Sequence, residues 1–304
     1  MRSDSIPNDS LGILLYVLPV IVMWGCNFAV MRIGVGEVGP FTLGAMRFAV
    51  ASVPFLLFIR PPAVPALFVL AYGATVGLGQ FGFLFFAIHS GLSSGLASLL
   101  LQLQAVFTPL LALAVLKDRI PAPTIVATVV SLIGLGVIIS AVNDTPAGTV
   151  PILLGVAAAF SWALSNVVVS WGARHGYRYD SIALIVWASA ALPIPFAAMA
   201  AFSGEAQSWS FSVLQQAFLP ALYLGLLATL VCNFLWIAAI SKYSAAAVAP
   251  FSLLIPMIGL AIGWLVFGET LDRVRIVGCG LVVGGVFIHI IGTRLMSKRR
   301  QRHA

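Results

Sequence analysis

Long apolar runs separated by short polar breaks limit what this chain can fold into more than any other feature. A bilayer core about 30 Å thick is spanned by roughly 20 helical residues. Ten stretches come to that length: 11 to 33, 41 to 59, 66 to 88, 94 to 116, 122 to 142, 150 to 171, 181 to 202, 214 to 239, 245 to 267 and 274 to 293. The breaks carry turn formers and charges, among them Gly39-Pro40, Arg60-Pro61-Pro62, Lys117-Asp118-Arg119, Asn143-Asp144, Arg174 to Asp180, Glu205, Lys242 and Glu269 to Arg275. None is long enough to hold a soluble domain. Barrel strands would leave a much weaker apolar signal per segment, so we expect an all-α integral membrane protein with ten transmembrane helices.

Composition agrees. Of 304 residues, 61% are hydrophobic and 8% charged, whereas a soluble domain has roughly 25% charged. That leaves too little polar surface for a soluble enzyme, and makes membrane lipid the solvent of the chain. The net charge of +7 does not call for nucleic acid, because five of the sixteen basic residues (Arg294, Lys298, Arg299, Arg300 and Arg302) directly follow the last apolar run. A basic tail there suits the lipid surface. With the amino terminus on a side named A, twelve basic residues fall on side A, and three (Arg32, Arg273 and Arg275) on side B; Arg47 lies inside the second stretch. By the positive-inside rule both termini are cytoplasmic, in a multi-pass protein of the bacterial inner membrane. The first run is not read as a cleaved signal peptide, since Asp4 and Asp9 precede it and no A-x-A site follows. Cys26, Cys232 and Cys279 lie far apart in apolar sequence without ligand spacing, so neither disulfide nor zinc is expected.

The chain also repeats itself. Shifted by 151 residues, Phe83 to Val137 aligns without a gap on Phe234 to Ile288, with Phe83, Leu84, Ala87, Ser90, Ser93, Leu103 and Gly134 matching Phe234, Leu235, Ala238, Ser241, Ser244, Leu254 and Gly285, and Asp118 falling on Glu269. Met23-Trp24-Gly25 falls on Ser161-Trp162-Ala163 at an offset of 138, which places an insertion of 13 residues near 203 to 213. Each half, 11 to 142 and 150 to 293, holds five stretches, followed by the basic tail 294 to 304. An odd number per half makes these inverted repeats, an arrangement in which secondary transporters hold substrate near the midplane and expose it alternately to either side.

Trp24-Gly25-x-Asn27, Ala45-Met46-Arg47-Phe48, Leu116-Lys117-Asp118-Arg119 and Phe267-Gly268-Glu269-Thr270 together resemble the EamA-type drug/metabolite transporters. The resemblance extends over nearly the whole chain. It implies ten helices in two EamA units and export of small metabolites, amino acids in several bacterial members. The first half departs from the second at Ala105, which stands opposite Pro256, and at Lys117-Asp118, which stands opposite a Gly-Glu pair.

All nine acidic residues fall in tails or loops. A carboxylate at the bilayer centre costs about 2.5 to 3.5 kcal/mol, so transporters keep one there for proton coupling or cation binding. Its lack argues against carboxylate-based coupling and leaves His89 and His289 as titratable candidates. There is no G-x-x-x-x-G-K-[ST] loop for ATP, and no cofactor is expected. Arg47 could bind a substrate carboxylate, but is expected instead to reach the interface or Glu37 along its stem. The candidate substrate-binding set is Trp24, Asn27, Gln80, Phe83, Gln104, Trp162, Asn166, Asn233 and Trp236. Of Gln102 and Gln104, about 200° apart on a helix, the repeat favours Gln104 as the inward one. Amides in hydrocarbon need partners on another helix or in a wet cavity. Amides beside large rings suit a small zwitterionic, partly apolar solute such as an amino acid.

Two alternatives remain: a quaternary-amine or multidrug exporter, served by cation–π contacts, and, more distantly, an intramembrane serine hydrolase at Gly91-x-Ser93-x-Gly95. That segment also reads as a helix turn, with Ser93 or Ser94 as the cap. Gly34-x-Gly36-x-x-Gly39 fits the dinucleotide fingerprint but follows a membrane helix instead of a strand. The pairs Gly73/Gly77, Gly259/Gly263 and Gly280/Gly284 are expected to let helices approach closely. The sequence leaves the oligomeric state open, a monomer included.

The orientation is testable. A cytoplasm-active reporter fused after Ala304 should be active, and a periplasm-active one fused there silent; fusions at Asp144 should reverse both results.

Overall fold

The computed structural model describes residues 10–117, 122–140, 148–243, 249–269 and 272–302. Asp118, Arg119, Asp144 and Ser244, named above, lie outside these residues, as do the side chains of Pro250, Arg275, His289 and the basic tail. Among the described residues the chain is helical and has no strand. In lipid a backbone must bond to itself, and a helix does this within one segment.

We label the helical segments α1 (Ser10–Val38), α2 (Pro40–Ser52), α3 (Ala66–His89), α4 (Ser94–Leu116), α5 (Ala122–Ser140), α6 (Val150–Arg174), α7 (Ser181–Phe202), α8 (Phe218–Ala239), α9 (Ile255–Phe267) and α10 (Arg273–Arg302). Among the described residues six segments are long and apolar enough to cross a membrane: Leu14–Val38 within α1, together with α3, α4, α6, α7 and α8. Shorter apolar helices run over Ile125–Val137, Ile255–Phe267 and Ile276–Ile288.

Several of the breaks read from sequence end helices, though Lys242 lies within the last turn of Cys232–Tyr243. Gly39, with φ +85°, separates α1 from α2, and Pro40 opens α2, where its missing N–H costs nothing. Lys117 (φ 56°) ends α4 in the left-handed conformation that Gly268 (φ 62°) adopts after α9. Ser93 caps α4 by accepting from Leu96 N, and Asp180 caps α7 by accepting from Ala183 N.

The core is built around α1, which packs on α9, α8, α4 and α3, while α6 lies on α3 and α4, and α2 on α7. Small residues allow these approaches. Gly25 of α1 faces Ile258 of α9, and Gly73 and Gly77 of α3 face Ala188 and Leu192 of α7. Gly280 and Gly284 differ from expectation: a Cβ at either would meet nothing within 4 Å. The tight glycines of α10 include Gly285, one position on, which faces Ala127 and Ser131 of α5, and Gly292, which faces Pro123. Gly134 of α5, the counterpart of Gly285, faces Gly278 O and Leu281 of α10. Between them Ser131 Oγ donates to Val282 O at 3.5 Å.

At the ends assigned to side B, two carboxylates hold helix N-termini. Glu205 accepts from Phe41 N (3.3 Å), Thr42 N (2.8 Å) and Thr42 Oγ1 (2.9 Å) at the start of α2. Glu269 accepts from Ser94 N (2.8 Å), Ser94 Oγ (2.9 Å) and Gly95 N (3.0 Å) at the start of α4, and pairs with Arg32. Negative charge is favourable there because the unpaired N–H groups and the helix dipole point at it.

Leucine at Gly134 or Gly285 should therefore push α5 and α10 apart and cost about 1 to 3 kcal/mol. Thermal unfolding in detergent should show a lowered Tm for either variant and an equal or raised one for Gly280→Ala, since alanine is the better helix former where nothing opposes its Cβ. An unchanged Tm for both leucine variants would contradict this packing.

Candidate functional site

A cavity of about 170 Å³ lies inside the bundle, lined from α1, α2, α3, α4, α6, α7 and α8, with Ile255 of α9. By volume it resembles an engineered apolar cavity of about 150 Å³ that holds a benzene ring, but its lining is mixed. Five of the nine expected residues line it: Trp24, Asn27, Gln80, Trp162 and Asn233. Trp24 is fixed by its indole N–H, which donates to Ala228 O at 2.9 Å. Asn233 Nδ2 donates back to Thr229 O of the preceding turn.

The other four lie elsewhere. Phe83 is 42% exposed on the outer surface of α3. Residues Ala74–Phe81 form a π-helical segment, whose i→i+5 bonding lengthens the repeat beyond 3.6 residues and shifts the face that follows. Phe81 takes the inward place beside Gln80. Gln104 does not face the cavity either. Leu101–Leu103 form a 3₁₀ turn within α4, and its tighter winding brings Gln102 inward instead. Gln104 Oε1 accepts from Asn166 Nδ2 at 3.0 Å, and the same Nδ2 donates to Thr108 Oγ1 at 3.2 Å. These amides therefore join α4 to α6. Trp236 stands behind Trp24, ring centroids 5.6 Å apart and planes at 52°.

Arg47 overturns the expectation that it reaches the interface or Glu37. It is 2% exposed and lines the cavity, whereas Glu37 is exposed in the last turn of α1. The reason is the face it occupies. Gly44, Arg47, Phe48 and Ala51 form the buried stripe of α2, so the stem points into the bundle. Arg47 Nη2 and Nε donate to Thr229 Oγ1 at 3.0 and 3.3 Å. Its guanidinium carbon lies 3.7 Å from the centroid of the Phe81 ring.

Both partners belong to π-helical segments, Phe81 ending that of α3, and Thr229 within the second, Tyr223–Val231 of α8. In the latter, Thr229 Oγ1 donates to Leu224 O five residues back. Gly225 brings this segment against α2: a Cβ there would lie 2.7 Å from Arg47 O. The signal for Arg47 in the sequence was the charge itself, since an ionisable residue within a membrane helix marks a functional site by default. Thr229 and Gln102 carried no such signal.

Three buried polar atoms of residues that line this cavity have no hydrogen-bond partner: Arg47 Nη1, Asn27 Oδ1 and Gln80 Oε1. No Asp or Glu is among its lining residues as described. Among the described residues no group of three or more His, Cys, Asp or Glu is placed to hold a metal. Between α6 and α7, outside the spans, Tyr177 and Tyr179 pack on Phe68 of α3 at 5.2 and 5.5 Å, and burial pushes the Tyr179 phenol above its usual range.

The chain matches the model of the EamA-like transporter family over residues 10–140 and again over 149–291. It is 36% identical to a protein of Salmonella typhimurium named "Probable amino-acid metabolite efflux pump", over 93% of this chain and 96% of that protein. A protein of the same name in Escherichia coli K12 is 32% identical, over 91% of this chain and 94% of that protein. A solved structure described only as "Crystal structure of protein" superposes with a TM-score of 0.57 at 18% identity, covering 94% of this chain and 99% of that one, and so shares the fold. The chain is thus a multi-pass membrane transporter and not an enzyme, and it belongs to the EamA-like transporter family.

Proposed function

We propose that this protein exports amino acids with broad specificity, including aromatic and other neutral ones, or similar small metabolites, across the bacterial inner membrane by alternating access. The observation that carries this reading is the internal cavity, where Asn27, Gln80, Gln102 and Asn233 stand beside Trp24, Trp162 and Phe81 and no carboxylate is among the lining residues. The names of the two relatives above point to the same class of cargo.

In this reading ten helices cross the membrane in two inverted five-helix repeats, 11 to 142 and 150 to 293, with the tail 294 to 304 and both termini in the cytoplasm. Contacts between equivalent positions support it. Ser131 and Val282, bonded to each other, are separated by the repeat length of 151. Gly134 meets Gly278 and Gly285 meets Ala127, each pair being the other's equivalent at that offset. Such reciprocity is what a two-fold axis produces. The two π-helical segments, Ala74–Phe81 and Tyr223–Val231, also fall at overlapping positions of the two halves.

Alternating access then has a concrete requirement. Glu205 and Glu269 belong to the second half and hold Thr42, Ser94 and Arg32 of the first, so opening side B breaks these bonds. The quaternary-amine reading is disfavoured because such a cation wants a carboxylate. For the hydrolase, Ser93 already has a structural task as the cap of α4.

Purified protein in liposomes preloaded with labelled phenylalanine, tryptophan, methionine or threonine should release at least one of them down its gradient without a pH gradient. Trp162→Ala should slow release by about tenfold or more, and Ser93→Ala should leave the rate per folded protein within about twofold. Failure to move any of these amino acids would sink the substrate assignment, and an absolute need for a pH gradient would sink the uncoupled mechanism.

A further inference from the structure

We infer that Arg47 is the receptor for a free carboxylate on the cargo, and that Asn27 Oδ1 and Gln80 Oε1 receive the ammonium of the same molecule. The inference deepens the proposed function and rests on its assignment of the cavity as the cargo site. It goes further in saying how the cargo is recognised: as a zwitterion, with the anionic end decisive.

Three observations carry it. The first is that Arg47 is half-satisfied. Thr229 and the Phe81 ring take one edge and one face of the guanidinium, while Nη1 is buried without a partner. A guanidinium offers five donors in a planar fork matched to a carboxylate, and one left unpaired in a low-dielectric interior is costly.

The second is the sign of the other two unpaired atoms. Asn27 Oδ1 and Gln80 Oε1 are acceptors, on residues 6% and 5% exposed. They are suited to N–H donors of a ligand and not to its carboxylate. One unpaired cationic donor and two unpaired carbonyl acceptors, carried by residues that line one cavity, are the complement of an α-amino acid. An amine without a carboxylate would leave Arg47 Nη1 unpaired and add a second positive charge to a cavity lined by no described acid.

The third is that Arg47 is held in place for this task. Thr229 Oγ1 is anchored through its own bond to Leu224 O, and Phe81 closes one side of the guanidinium plane. The free edge is thereby oriented before cargo arrives, which lowers the ordering cost of binding. Trp24 and Trp162 then form apolar wall for the side chain of the cargo.

The test separates carboxylate from ammonium with four probes that share one ring: phenylalanine, N-acetylphenylalanine, phenylalaninamide and phenethylamine. In wild-type liposomes carrying out phenylalanine counterflow, unlabelled phenylalanine should compete best. N-acetylphenylalanine should follow, and phenylalaninamide and phenethylamine should be weaker than phenylalanine by on the order of 30-fold or more. Arg47→Gln should abolish the preference for phenylalanine over its amide, and Arg47→Lys should restore part of it, since lysine keeps the charge but loses the planar fork.

A parallel measurement needs no transport: phenylalanine should raise the Tm of the detergent-solubilised wild type, and the amide should not. If Arg47→Gln does not fold, the wild-type analogue series and this thermal shift still decide the matter. Equal competition by phenylalanine and its amide in the wild type overturns the inference, as does a folded Arg47→Gln that keeps the preference. Absence of amino-acid transport with a carboxylate-dependent thermal shift would overturn the export reading and leave the recognition standing. Absence of any shift from phenylalanine would overturn the recognition.

Discussion

A guanidinium buried in an apolar bundle, with no carboxylate among the residues around its cavity, is the interaction on which the rest of this structure depends. Removing such a charge from water is expensive. Here the cost is offset by an aromatic face and a hydroxyl, both carried by segments of unusual winding. Phe81 and Thr229 sit in the two π-helical segments, and Gly225 lets α8 approach α2 closely enough for the threonine to reach. A widened helical turn shifts every side chain after it, so the demand of one cation extends to which residues of α3 and α8 face inward.

The acids are arranged in the opposite way. Glu205 and Glu269 sit at helix ends, where main-chain N–H groups and, for Glu269, an arginine satisfy them. Charge is thus divided by place: these carboxylates hold helix ends, and Arg47 is buried on the cavity lining. A site with this polarity favours ligands that bring their own negative charge, and it leaves no carboxylate in the lining for a proton to neutralise.

Much of this was legible in the sequence because lipid imposes simple rules. Apolar length gave helices, and Gly39-Pro40, Ser93 and Asp180 marked ends that the structure keeps. Five residues of the expected site line the cavity, because deep amides and tryptophans have few other reasons to be there. Phe83 and Gln104 depart from expectation for a shared reason: a π-helical segment and a 3₁₀ turn break the uniform helical period just before them. The glycine pair of α10 departs for another, because the face that meets α5 carries Gly285, the partner of Gly134 in the repeat. Asn166 and Gln104 were deep amides as well, but they satisfy each other across α4 and α6, and no one-dimensional pattern distinguishes a paired amide from a free one.

By itself, then, the sequence determined that this chain is helical, belongs in lipid, carries its acids outside the apolar stretches, and resembles a family of transporters. Those properties follow from hydropathy and local turn chemistry, which act on neighbouring residues. Only the tertiary structure decided that Arg47 turns inward, that Phe81 and Gln102 replace Phe83 and Gln104, and that three residues with unpaired polar atoms line one cavity. Those outcomes depend on partners far along the chain, such as Thr229 for Arg47 and Asn166 for Gln104, and on changes of helical winding that arise from packing instead of from residue type.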